Sequence, residues 1–206
     1  MKTYDAIVIG SGQGGVPLAT DLADQGWSVA LIEKANVGGS CINYGCTPTK
    51  TMISSARFAH YARVAPEFGI HPGKAEVNMA EVVARKNEIV ELFRSGVQEQ
   101  IESSPKLTLY RGHGRFTAPH EVGVNGETLK SDKIFINTGT RPRIQALPGL
   151  DQVEVLDQSQ HHGFARAAGT PHRARWQLSW TRIRPNVSPS QQRSDCGRDV
   201  GSRRGA

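Results

Sequence analysis

The feature that most constrains this chain is a run of glycines set between two short apolar segments near its start. Ala6-Ile7-Val8-Ile9 has the composition of a buried parallel strand. Gly10-Ser11-Gly12-Gln13-Gly14-Gly15 follows it. Then come a helical stretch from Val16 to Asp24, a closing Gly26, and a second apolar strand, Ser28 to Ile32, with Glu33 at its end. The order is a βαβ unit with G-x-G-x-x-G at the strand-to-helix turn. Gly10 permits the tight turn, Gly12 lets an anion approach the backbone, and Gly15 lets helix and strand pack closely. The helix N-terminus offers N–H groups and a partial positive charge, and Glu33 is placed to accept hydrogen bonds from a ribose. The spacing predicts a dinucleotide site. A glycine-rich turn without a ligand is the bland alternative, and it leaves the ordered strand, helix, strand and acid unexplained. The unit alone does not separate FAD from NAD.

Residues 38–50 read Gly-Gly-Ser-Cys-Ile-Asn-Tyr-Gly-Cys-Thr-Pro-Thr-Lys. Pro48 suits the first turn of a helix, and Thr51 to Val64 has helical periodicity, so Cys46 is expected at or just before a helix N-terminus. That position favours a thiolate, whose pKa then falls below the ordinary value of roughly 8.5. Lys50 follows Cys46 by one helical turn on the same face. The chain has three cysteines, an odd number, and no visible signal peptide, which argues against a secreted disulfide framework. A cytoplasmic protein with a working thiol pair, Cys41 and Cys46, close together in a glycine-rich loop, is the simpler expectation. The alternatives are a structural disulfide and half of a metal site; metal sites usually use C-x-x-C and need further ligands, so no metal is expected. No apolar run approaches membrane-spanning length.

This block resembles the active-site signature of the pyridine-nucleotide–disulfide oxidoreductases, the flavoprotein class that includes dihydrolipoamide dehydrogenase, glutathione reductase and mercuric reductase. Gly-Cys-Thr-Pro-Thr-Lys is most similar to the mercuric-reductase-like branch. The resemblance runs from residue 1 to about 158. It implies an FAD-dependent oxidoreductase with a role in cell redox homeostasis, in which Cys41 and Cys46 form a redox disulfide. Cys46 would make the charge-transfer contact with the flavin, Cys41 would exchange with substrate, and Lys50 would lie near the reactive edge of the isoalloxazine. Gly10, Gly12, Gly15, Glu33, Lys34, Gly39 and Ser40 would hold FAD, while NAD(P)H would bind a second fold. The implied substrate is a small-molecule or protein disulfide, or a metal ion. The family's homodimer does not carry over to this chain as an expectation.

The fold expected for 1–158 is α/β, a Rossmann-like FAD-binding domain of three layers, with a parallel sheet and a small antiparallel β-meander. Glu76 to Ser103 reads as a long amphipathic helix with Val77, Val82, Val83, Ile89, Val90, Leu92, Phe93, Val97 and Ile101 as core positions, paired with the helix Thr51–Val64. Strands are expected at Leu107–Tyr110, Val122–Val124 and Ile134–Ile136, with Asn125-Gly126 as a hairpin turn. By resemblance, Gly114, Thr138 and Gly139 add flavin contacts, and Asn137 stands where the family usually has Ala. His60, His71, His113 and His120 occur singly and read as surface histidines.

The net charge of +6 invites a nucleic-acid partner, but its distribution does not. From His161 onward there are nine Arg, no Lys and two acids, Asp195 and Asp199; residues 1–160 carry −1. Residues 159–206 form an arginine-rich, irregular tail with poor periodicity and no second glycine turn. Read one base later from Gln160, permitted codons yield an apolar strand and a glycine turn, so the tail is expected to be out of frame and the flavin fold incomplete. A disordered extension and a nucleic-acid-binding arm are the rivals. The functional alternative to an oxidoreductase is accordingly a non-catalytic flavin-binding fragment, or the product of a disrupted gene.

Overall fold

The computed structural model describes residues 1–144 and 149–152. The expectations for the tail after residue 158 lie outside the described residues. In chain order the elements are β1 (Lys2–Thr3), β2 (Ala6–Ile9), α1 (Gly15–Asp24), β3 (Val29–Glu33), α2 (Gly39–Asn43), α3 (Cys46–Val64), α4 (Met79–Glu102), β4 (Leu107–Arg111), β5 (Arg115–Ala118), β6 (Glu121–Val124), β7 (Glu127–Lys130) and β8 (Ile134–Ile136).

The apolar runs form one parallel sheet in the order β4-β3-β2-β8. β2 and β3 pair from Ala6 with Val29 to Ile9 with Ile32. Alternate residues face opposite layers. Ala6, Val8, Val29 and Leu31 pack against Val16, Ala19 and Ala23 of α1 and Ile101 of α4. Ile7, Ile9, Ala30 and Ile32 pack against Val122, Val124 and Leu129 of the second sheet. Burial on both faces is why these strands are apolar without alternation. The result is the expected three-layer Rossmann-like fold: helices, parallel sheet, antiparallel meander.

The meander runs β7-β6-β5 and is extended by β1, which pairs parallel with β7. Asn125 and Gly126 have φ of 50° and 82° and join Val124 directly to Glu127, the two-residue hairpin that Asn-Gly favours. The N-terminus serves both sheets, since Lys2–Thr3 belong to the meander and Ala6 begins the parallel sheet. Tyr4 lies at the crossing, its hydroxyl 2.8 Å from that of Tyr110 on β4.

Two sequence expectations need correction. Gly39–Asn43, read as glycine-rich loop, is a short helix that carries Cys41. α3 begins at Cys46, as expected, because Pro48 fits its first turn, where no intrahelical N–H is needed. The helix expected from Glu76 begins at Met79, because the Asn78 carboxamide oxygen caps the N–H groups of Ala80 and Glu81. Val77 is therefore outside the helix and exposed, and Leu92 and Phe93 are exposed rather than core. The stripe that α4 buries runs through Val83, Lys86, Val90 and Ile101, and Leu92 falls on the opposite side. α4 does pack on α3 as expected. Among the described residues no helix is long and apolar enough to cross a membrane.

Candidate functional site

β2 delivers the chain into the glycine turn at Gly10, and α1 starts at Gly15. The turn is as tight as the spacing requires: a Cβ on Gly15 would lie 1.9 Å from the Gly10 carbonyl oxygen. Among the described residues, the N–H groups of Gly12, Gln13 and Gly14 meet no backbone or side-chain acceptor. They stand at the positive end of the helix dipole, so the turn presents unpaired donors suited to an anion.

Ser11 locks this turn to the next strand. It is fully buried, and both its N–H and its hydroxyl donate to the same Glu33 oxygen, Oε2, at 3.0 and 2.7 Å. Glu33 Oε1 accepts from the Ala35 N–H at 2.8 Å. The carboxylate thus holds the turn, and Oε1, which accepts one N–H, keeps acceptor capacity for a hydroxyl.

The cysteine helix is seated on the same turn. Gly38 N–H donates to the Ser11 carbonyl at 3.0 Å, and Gln13 Nε2 donates to the Gly38 carbonyl at 3.4 Å. Gly39 has φ of 62°, and a Cβ there would be 2.6 Å from the Gly12 Cα. Cys41 and Tyr44 are half-buried in this segment, whereas Cys46, the first residue of α3, is exposed. No bond joins the two sulfurs, and they interact as neighbouring thiols. Burial pushes the Cys41 thiol above its ordinary pKa, and the hydrogen bond and charge of Cys46 beside it add to this. The Cys46 backbone and the Lys50 ammonium pull it weakly the other way.

A groove of about 840 Å³ collects most of the residues singled out from the sequence. Its lining includes Gly10, Gly12, Glu33, Lys34, Gly39, Ser40, Cys41, Gly114, Thr138 and Gly139. Gly15 supports the turn from behind, and Cys46 and Lys50 lie beyond the lining, at the exposed head of α3. His113, read as an isolated surface histidine, also lines the groove. Asn137 enters it from the end of β8: its N–H donates to the Ile9 carbonyl at 2.8 Å, and its Nδ2 lies 3.4 Å from the Gly10 carbonyl. Sequence reasoning gave Ser11 no role; a hydroxyl residue between the first two glycines with an acid closing the next strand was the available signal. No group of three metal-ligating side chains occurs among the described residues.

Comparison with known proteins agrees with this geometry. Residues 4–177 match the family model described as pyridine nucleotide-disulphide oxidoreductase. A dihydrolipoyl dehydrogenase from Thermus scotoductus is 40% identical over 142 residues, covering 69% of this chain and 30% of that protein. A mercuric reductase from Bacillus cereus is 33% identical over 153 residues, covering 74% of this chain and 24% of that protein. The solved structure of the HOCl-induced flavoprotein disulfide reductase RclA from Escherichia coli superposes with a TM-score of 0.67 at 32% identity, over 79% of this chain and 34% of RclA. The chain therefore spans about a third or less of the length of these relatives.

Proposed function

Because the chain belongs to the pyridine nucleotide-disulphide oxidoreductase family, whose members use FAD and NAD(P)H, we propose that it supplies the flavin-binding and dithiol segment of an electron relay from NAD(P)H to a disulfide or metal-ion substrate. The observation that carries this reading is the seating of the Cys41 helix on the glycine turn, so that Cys41 and Gly12 line one groove.

The groove fits the dinucleotide. Gly10, Gly12 and Gly15 leave no side chain between an approaching pyrophosphate and the three unpaired N–H groups. Glu33 accepts from a ribose hydroxyl at Oε1, with the lone pair that Ala35 leaves open. Lys34, Gly39, Ser40, Gly114, Thr138 and Gly139 hold the remainder of the FAD. When bound, FAD supplies two-electron transfer between the nicotinamide and sulfur.

The chain's own chemistry is the dithiol. A Cys41–Cys46 disulfide takes up two electrons and two protons to give two thiols, and returns them when it re-forms against a substrate. In this assignment Cys46 is the flavin-side sulfur, Cys41 exchanges with substrate, and Lys50 supplies positive charge beside the pair. The raised pKa of Cys41 keeps it protonated at rest, so its attack follows loss of that proton. Mercuric reductases among the relatives, and a Cu(II) complex of the E. coli neighbour, support a thiol-binding metal ion as one substrate class. The dihydrolipoyl dehydrogenases support the disulfide form of a small dithiol–disulfide couple as the other. A working dithiol pair in place of a structural disulfide framework favours the reducing cytoplasm. Among the described residues there is one glycine-rich nucleotide turn, so NAD(P)H is assigned to a second unit.

Equilibrium titration of the purified chain with FAD tests this reading. One flavin per chain is expected, with at least tenfold weaker binding by Glu33→Ala. Absence of saturable binding by the unaltered chain would overturn it.

A further inference from the structure

We infer that Arg94 of α4 is a positioning residue for the Cys41 thiol, acting through the carboxamide of Asn43. Asn43 is buried and lies two residues after Cys41 in a helix of five residues. A helix that short has no stability of its own and must be held from outside. Asn43 holds it: Nδ2 donates to the carbonyls of Val37 and Gly39, both at 2.9 Å, and so gathers the approach to α2 and its first residue onto one amide.

A carboxamide can do this in one orientation only. Turned by half a rotation, it would set its oxygen against two carbonyl oxygens. Arg94 selects the working orientation. Its Nε donates to Asn43 Oδ1 at 3.0 Å, and a guanidinium has no acceptor with which to satisfy the reverse arrangement. Arg94 is held in turn by Glu91 on the same helix, with Nη1 to Oε2 at 2.6 Å. Neither Arg94 nor Glu91 lines the groove. The orientation of α4 is thereby transmitted to the seat of Cys41 by a Glu91–Arg94–Asn43 relay that contains no site residue.

The functional weight of this inference rests on the dithiol reading above, but its test does not. The reduced chain, without FAD, is treated with limiting iodoacetamide, and the modification rates of Cys41 and Cys46 are followed separately by peptide mass spectrometry. Arg94→Met keeps the aliphatic stem and removes the donors. It is expected to raise the Cys41 rate at least threefold with the Cys46 rate unchanged, and Arg94→Lys to restore most of the difference. An unchanged Cys41 rate in Arg94→Met overturns the inference, as does equal acceleration of both cysteines. Should Arg94→Met fail to fold by circular dichroism, Asn43→Asp decides: it still accepts from Arg94 but donates to neither carbonyl. Cys41-selective acceleration upholds the relay and a rate equal to the unaltered chain overturns it. Failure of FAD binding alongside Cys41-selective acceleration would count against the flavin reading and leave the relay standing.

Discussion

Gly39 rests directly on Gly12, so close that a Cβ on the one would lie 2.6 Å from the Cα of the other. The helix that carries Cys41 and the turn that presents unpaired N–H groups are therefore one rigid feature. Gly39→Ala faces both this clash and a left-handed φ of 62°. A non-glycine residue held there costs about 1–3 kcal/mol from the backbone alone. The expected result is lowered thermal stability together with at least tenfold weaker FAD binding. An unchanged melting temperature and affinity would show that the two segments separate freely.

Ser11 and Glu33 make the second junction, between the turn and β3. Ser11→Ala removes the 2.7 Å hydroxyl bond but keeps the N–H bond to the same carboxylate oxygen. A hydrogen bond to a charged group contributes about 1.5–3 kcal/mol. Urea denaturation should register a loss near the lower figure, since Glu33 retains the Ala35 and Ser11 N–H donors. In a double-mutant cycle with Glu33→Gln, the two losses should not add.

Cys41 titrates above the ordinary thiol range because it is desolvated and lies beside Cys46. Its alkylation rate should therefore rise with pH through a midpoint higher than that of a free cysteine. Together with the Cys46 backbone, the Lys50 ammonium opposes this shift, so Lys50→Met should move that midpoint further up. The sign for stability follows: between the ordinary and the raised pKa, the folded chain binds more protons than the unfolded one, so this thiol's contribution is full below the ordinary value and is lost as pH rises through the raised one. A Cys41 midpoint that Lys50→Met lowers would contradict the assignment.

Lys86 lies on the buried stripe of α4 with no acid paired to it among the described residues, its ammonium hydrogen-bonded to the neighbouring Asn87 side chain. Burial lowers its pKa. The folded chain sheds this proton before the unfolded chain does, so stability rises with pH across the interval between the lowered value and the ordinary lysine range. Lys86→Met should raise the melting temperature at neutral pH by roughly 2–4 °C, the shift that about 1 kcal/mol produces in a chain of this size. Differential scanning calorimetry at two pH values checks both statements.

The parallel sheet, the glycine turn and the Asn-Gly hairpin were legible because each rests on a local rule: an apolar run, a glycine spacing, a positive-φ dipeptide. The position of Cys46 was legible from Pro48 for the same reason. What escaped were long-range relationships. Nothing in the spacing of residues 38–50 separates a five-residue helix from a loop, since the Asn43 bonds and the Arg94 contact that hold it depend on tertiary structure. Lys86 occupies a core position on α4 that hydropathy assigns to solvent. Leu92 and Phe93 satisfy hydropathy and still face outward, because the buried stripe is set by α3 and the sheet rather than by α4 alone.

The central claim is that Cys46 and a flavin meet at the head of α3, with Cys41 as the exchanging partner. Anaerobic reduction of the FAD-loaded chain with two electron equivalents of dithionite, followed by absorption spectroscopy, tests it most directly. The expected result is a long-wavelength thiolate–flavin band in the two-electron-reduced unaltered chain, the same band already present before reduction in Cys41→Ser and bleached by the two equivalents, and no band at either stage in Cys46→Ser. A flavin that reduces with no such band, or a band that persists without the Cys46 sulfur, would contradict it.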